Sequence, residues 1–186
     1  MNLPFFTIGH SNRSIDEFIA MLAQANVELV ADIRKMPMSR ANPQFNHDAL
    51  AASLAEAGIA CEHVAALGGL RGKTPAVPAD VNGLWRNASF HRYADYALTE
   101  PFRAGLEHVV AQGRERRLAL MCSEAVWWRC HRRIVTDYLL ARGEMVLHLM
   151  GAGREETAHL MPGAVVDDEY NVTYPAPTTP PKPPRP

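Results

Sequence analysis

Short apolar runs alternate along the chain with segments in which apolar residues recur every three to four positions. This alternation predicts an α/β fold built on a mainly parallel sheet. Five runs read as strands: residues 4–9 (PFFTIG), 27–34 (VELVADIR), 59–64 (IACEHV), 117–122 (RLALMC) and 144–150 (EMVLHLM). The fourth is apolar without alternation, which predicts a central strand covered on both faces. Between them, Ser14 opens a capping box (S-I-D-E) ahead of Ile15, Phe18, Ile19 and Leu22, the stripe of a first helix. A second helix runs from about His47 to Ala57 and ends at Gly58, a residue suited to a left-handed cap. Further helices are expected at 89–98, at 101–112 after a Thr99 cap, and at 129–141 before Gly143. The Gly- and Pro-rich stretch 66–85 reads as a long loop able to close over a site. The whole predicts one α/β domain over 1–170, a mainly parallel five-stranded sheet flanked by helices in a Rossmann-like, three-layer arrangement. A Pro-rich extended tail follows over 171–186.

Composition narrows the class of molecule. The 186 residues, 47% hydrophobic and 21% charged, suit one globular core. A net charge of −1 gives no global attraction to nucleic acid or anionic membrane. No apolar run is long enough to cross a bilayer and the first residues carry no leader pattern, so no membrane association and a cytoplasmic location are expected. Three cysteines, Cys61, Cys122 and Cys130, do not form a disulfide framework, and reduced thiols are the expectation. The tail contains P-x-x-P spacing that an SH3-like partner could bind, although a plain extended end explains it as well.

Candidate chemistry collects at strand ends. In a parallel sheet, ligands bind where the carboxyl ends of strands lead into helices. Those ends carry His10, Ser11, Asn12 and Arg13; then Asp32, Arg34, Ser39 and Arg40; then Cys122, Ser123 and Glu124. If the first, second and fourth strands are neighbours, all three groups meet in one crevice. The segment MCSEAVWWRCHRR (121–133) adds Cys130, His131 and Arg132 at a helix start, with His131 in line with the buried face of Ile134, Val135 and Tyr138. On the same helical wheel Arg129 and Arg133 project elsewhere.

Several readings compete. A thiol, Cys122 or Cys130, serves as nucleophile with His131 or His10 as base and Glu124 as acid/base or orienter. A metal site uses the same residue types, but the C-x7-C-H spacing fits no usual zinc pattern, so no metal site is predicted. Alternatively, both cysteines are small buried hydrophobes and His131 is a core residue. Arg34, Arg40 and Arg132, with Arg13, suit an anionic group. A tyrosine-phosphatase loop is rejected, because Cys122 to Arg129 is one residue too long and lacks its glycines; a rhodanese-like persulfide carrier stays open on the same geometry, also without its usual loop. Trp127 and Trp128 invite base stacking. The expectation is an enzyme using thiol or acid/base chemistry on a small anionic, nucleotide-like ligand. The other class is a non-catalytic module for nucleotide or nucleic acid, and no cofactor is indicated.

The stretches TIGHSNRSIDEFIAML, ADIRKMPMSRANPQF, LGGLRG, MCSEAVWWRCHRRIV and VLHL, taken together over residues 5–150, resemble the domain of unknown function 488 family. Its pattern is met at Gly9-His10-Ser11, Asp32-Arg34-Pro37-Ser39-Arg40, Leu67-Gly68-Gly69, Cys122-Glu124 and Cys130-His131-Arg132. The AVWW before Arg129 departs from a more polar turn, and the Pro-rich tail lies outside the pattern. The resemblance implies an α/β domain with a shared polar pocket and names no reaction.

Overall fold

The computed structural model describes residues 2–178. Six strands form one sheet: β1 (Phe5–Gly9), β2 (Leu29–Asp32), β3 (Ala60–His63), β4 (Leu118–Cys122), β5 (Val146–Gly151) and β6 (Arg154–Thr157). Their order is β3-β2-β4-β1-β5-β6, parallel throughout except for β6, which returns antiparallel on β5. The five-stranded expectation is therefore corrected to six. Arg-Glu-Glu-Thr has no apolar run to betray a strand, and its charges are those of an edge that water covers. A separate two-stranded ribbon joins β7 (Val165–Val166) to β8 (Val172–Thr173).

Helices α1 (Ile15–Gln24) and α2 (His47–Glu56) cover one face of the sheet; α3 (Ala88–Tyr96), α4 (Glu100–Glu115) and α5 (Arg132–Ala141) cover the other. The pleat sorts the strand residues between these layers. Phe6, Ile8, Val30, Ala119 and Met121 pack under α1 and α2, whereas Phe5, Ala31, Leu118, Leu120 and Cys122 face α4 and α5. Both faces of β4 are thus buried, and Cys122, by parity, points at the α5 layer.

Local signals mostly hold. The Ser14 hydroxyl accepts from the Glu17 N–H at 3.1 Å, half of a capping box, while the Glu17 carboxylate accepts from Arg13 instead. Gly58 and Gly143 end α2 and α5 at φ of 74° and 79°. Thr99 precedes α4, but its hydroxyl donates back to Tyr96. The helix expected from Arg129 starts three residues later: Trp127–Arg129 form a 3-10 turn and Cys130 is extended (φ −124°, ψ 151°) before α5 begins. Val172 and Tyr174, expected within the extended tail, are fully buried, Tyr174 donating its hydroxyl to Asp137 at 2.7 Å. Residues 175–178 are exposed, and the rest of the expected tail lies outside the described residues. Among the described residues no helix is long and apolar enough to cross a membrane.

One contact fixes the upper edge of the sheet. After Gly9 the chain keeps pairing with the β4 exit, His10 N–H to the Cys122 carbonyl and Ser11 N–H to the Ser123 carbonyl, each at 2.9 Å. A Cβ on Gly9 would lie 1.7 Å from the Glu124 carbonyl oxygen, so only glycine lets the two backbones cross. Gly9→Ala is expected to lower stability in urea unfolding by about 1–3 kcal/mol, because the rigid neighbour is backbone and cannot rotate away.

His148 lies beneath the same corner. Its ring stacks on Trp127 (centroids 4.6 Å apart, 7° between planes) and its Nδ1 lies 2.7 Å from the Thr7 hydroxyl. Burial, with the Arg132 charge, pushes its pKa down to about 4. The folded protein therefore binds fewer protons there than the unfolded chain between about pH 6.5 and 4, so this contribution is full above pH 6.5 and lost as pH falls towards 4. Over that window it costs on the order of 3 kcal/mol. His10, also pushed down by burial, adds in the same direction, whereas Asp137, pushed up to about 6 by burial, opposes it. In unfolding titrations at pH 7 and pH 4.5, His148→Gln should show a smaller acid loss than wild type.

Candidate functional site

A cavity of about 620 Å³ opens over the carboxyl ends of β1, β2 and β4. The sheet order makes β4 the neighbour of both other strands, which is the condition under which the three strand-end groups converge. His10, Arg34, Ser39, Cys122, Ser123, Glu124, Cys130 and His131 all line it. The loop after β3 supplies Gly69 and Leu70, and the start of α3 supplies Asn87, Ser89, Phe90 and Tyr93.

The floor is a thiol cluster. Cys130 Sγ lies 2.7 Å from Cys122 Sγ, 3.4 Å from His131 Nδ1 and 3.5 Å from the Arg132 backbone N–H, at the N-terminus of α5. His131 Nε2 lies 2.9 Å from the Ile33 carbonyl. A carbonyl only accepts, so Nε2 carries a proton, and Nδ1 faces the Cys130 sulfur, placed to accept from the thiol or to donate to the thiolate. Gly69 makes room for that ring: a Cβ there would lie 2.9 Å from Nδ1. Tyr93 closes the other side, its ring centroid 4.9 Å from His131 and its hydroxyl donated to the Leu67 carbonyl at 2.6 Å.

Electrostatics divide the two thiols. Burial pushes Cys122 well up, reinforced by the hydrogen bond it gives Cys130. Burial would raise Cys130 as well, but the Cys122 hydrogen bond, His131 and Arg132 together take it well below the usual thiol range. A thiolate at a helix N-terminus, accepting from several donors, follows the same physics. Cys61 is free and half-buried, and burial pushes it up to about 11.

Most of the expected anion-binding arginines have other work. Arg34 donates Nε and Nη2 to the Asp32 carboxylate at 2.9 and 2.7 Å and Nη2 also to the Phe45 carbonyl, while Nη1 lies 3.3 Å from His10 Nε2. His10 in turn donates Nδ1–H to the Ser11 carbonyl at 2.8 Å and stacks on Phe45, so it is a neutral ring held between Arg34 and an aromatic, without a free base position. Arg132 is fully buried behind the thiols, donating to the Thr7 hydroxyl and to the Glu124 and Ala125 carbonyls. Arg13 holds the Gly9 and Met150 carbonyls and Glu17. Ser11, at φ 47°, faces Asn12 outside the cavity, and exposed Arg40 does not line it.

Two other cations, Lys35 and Arg129, line the cavity. Lys35 reaches across the mouth to the Leu70 carbonyl at 2.9 Å. Arg129, expected to project elsewhere, lines the cavity because the helix it was assigned to begins only at Arg132. It makes no side-chain hydrogen bond or ion pair among the described residues. Lys35 was within reach of the strand-end rule, being next to Arg34; Phe90 and Tyr93 share a face of α3 at i, i+3 spacing but follow no strand. Met36, Met38 and Leu70 form an exposed apolar rim. Among the described residues, no group of three or more His, Cys, Asp or Glu side chains is arranged to hold a metal ion.

No curated protein and no solved structure matches the chain. A family model does match, from residue 14 to residue 139, a span that runs from the cap of α1 into α5 and contains Arg34, Cys122, Cys130 and His131. That span is most of the chain, and the chain belongs to the family described as Domain of unknown function DUF488.

Proposed function

We propose that the cavity is the active site of a cytoplasmic thiol enzyme in which Cys130 is the nucleophile and His131 its base. The observation that carries this reading is the set of partners around Cys130 Sγ: a thiol, a helix N-terminal N–H and an imidazole nitrogen whose opposite nitrogen is pinned to a carbonyl. Proton transfer from sulfur to Nδ1 gives a thiolate–imidazolium pair, the activated form of a cysteine nucleophile. Lys35 and Arg129 stand at the mouth to receive an anionic group on a small substrate, and the Glu124 carboxylate, exposed at the same edge, is placed to move a proton to or from a leaving group. Arg34 and His10 act as positioning residues that hold the β2 exit beside β1.

The alternative, a non-catalytic module for nucleotide or nucleic acid, has less support. Trp127 is engaged with His148, the Arg34 guanidinium is paired with Asp32, and Arg132 is buried behind the thiols.

Iodoacetamide labelling across pH, read by peptide mass, tests the proposal. Cys130 should label about ten times faster than Cys61 at pH 7, with an inflection below about 8.5. His131→Gln should move that inflection upward and slow labelling near neutrality. Cys130 labelling no faster than Cys61 would overturn the assignment, whatever the variant does.

A further inference from the structure

Cys122 is left without a task by a single-nucleophile reading, although its sulfur lies 2.7 Å from that of Cys130. A buried cysteine acting only as a small hydrophobe has no need of a second sulfur at that range. Opposed elements bring the two together: Cys122 ends β4 with its side chain raised towards α5, and Cys130 is the extended residue ahead of that helix. Closing by about 0.7 Å would reach bonding distance. Both belong to one cavity wall, with the His131 ring beside them.

We propose that the two sulfurs form a two-electron dithiol centre that reduces a small hydroperoxide, Cys130 attacking and Cys122 resolving. This rests on Cys130 being the nucleophile. The substrate class follows from access. Cys130 is 5% exposed on the cavity floor and Cys122 1%, so the terminal oxygen of a slim electrophile reaches the sulfur. The apolar rim of Met36, Met38 and Leu70 suits the organic part of an alkyl hydroperoxide.

The chemistry balances without a further cofactor. The Cys130 thiolate attacks the terminal oxygen of R–O–O–H; an S–O bond forms, the O–O bond breaks, and the alkoxide takes a proton from His131 to leave as ROH. Cys130 is then a sulfenic acid. The Cys122 sulfur attacks the Cys130 sulfur, an S–S bond forms, and hydroxide leaves with the Cys122 proton as water. The dithiol has lost two electrons and the hydroperoxide has gained them. An external dithiol returns the pair to the reduced form by two thiol–disulfide exchanges.

Hydrogen peroxide and cumene hydroperoxide, added in equimolar amount to the full reduced chain at pH 7, test this by peptide mass with dimedone present. Wild type should form the Cys122–Cys130 disulfide, about a hundredfold faster than free cysteine is oxidised, with Cys61 left reduced. Cys122→Ser should instead accumulate dimedone-trapped sulfenic acid on Cys130, and consumption of cumene hydroperoxide driven by dithiothreitol should fall at least tenfold. If wild-type Cys130 labels rapidly with iodoacetamide yet stops at sulfenic acid, or oxidises no faster than free cysteine, the dithiol proposal fails and the nucleophile stands. If Cys130 is inert to both reagents, both fail. The wild-type measurement decides even if the variant does not fold.

Discussion

Arg132 carries a formal charge into the protein interior, 1% exposed, and among the described residues no carboxylate pairs with it. Burying a guanidinium costs several kcal/mol unless its donors are satisfied. Here the Thr7 hydroxyl and the Glu124 and Ala125 carbonyls accept from it, and its Nε finds no partner. Those contacts tie the β4 exit loop to β1 from behind and set where Cys122 ends and Cys130 begins. The remaining charge favours an anion nearby, and Arg132 lowers the pKa of both thiols. One side chain therefore both shapes the floor of the cavity and favours ionisation upon it.

A second buried cation has the opposite solution. Arg34 meets Asp32 in a two-bond ion pair and also takes the Phe45 carbonyl, so its charge is neutralised within β2 and its following turn. His10, neutral and stacked on Phe45, completes that cluster. The Arg34 cluster thus holds its own counter-charge, whereas Arg132 has no carboxylate partner among the described residues.

Residue type and period made much of this legible in the sequence. The unbroken run of β4 announced a strand buried on both faces, and the strand-end rule found Cys122, Glu124, His10 and Arg34 before any contact was known. It also found Arg13 and Arg40, because an arginine holding carbonyls and an arginine awaiting a ligand are the same letter. Arg129 escaped for a geometric reason: a helical wheel extended through an extended Cys130 sends every earlier residue to the wrong side. β6 escaped because a charged edge strand carries no hydrophobic period, and Tyr174 because a lone aromatic beside prolines gives no sign that Asp137 awaits its hydroxyl.

The position of β4 between β2 and β1 has a consequence in time. β1 and β2 lie early in the chain but touch each other nowhere in the sheet; Leu118–Cys122 inserts between them and pairs with both, joining the β3-β2 pair to β1 and β5. Until β4 has emerged, two strands that end fully buried keep an open edge, which is a setting for slow closure and for off-pathway association. The strand that joins the two halves of the sheet is also the one that ends in Cys122, so the floor of the cavity is set by the central hydrogen-bond ladder itself.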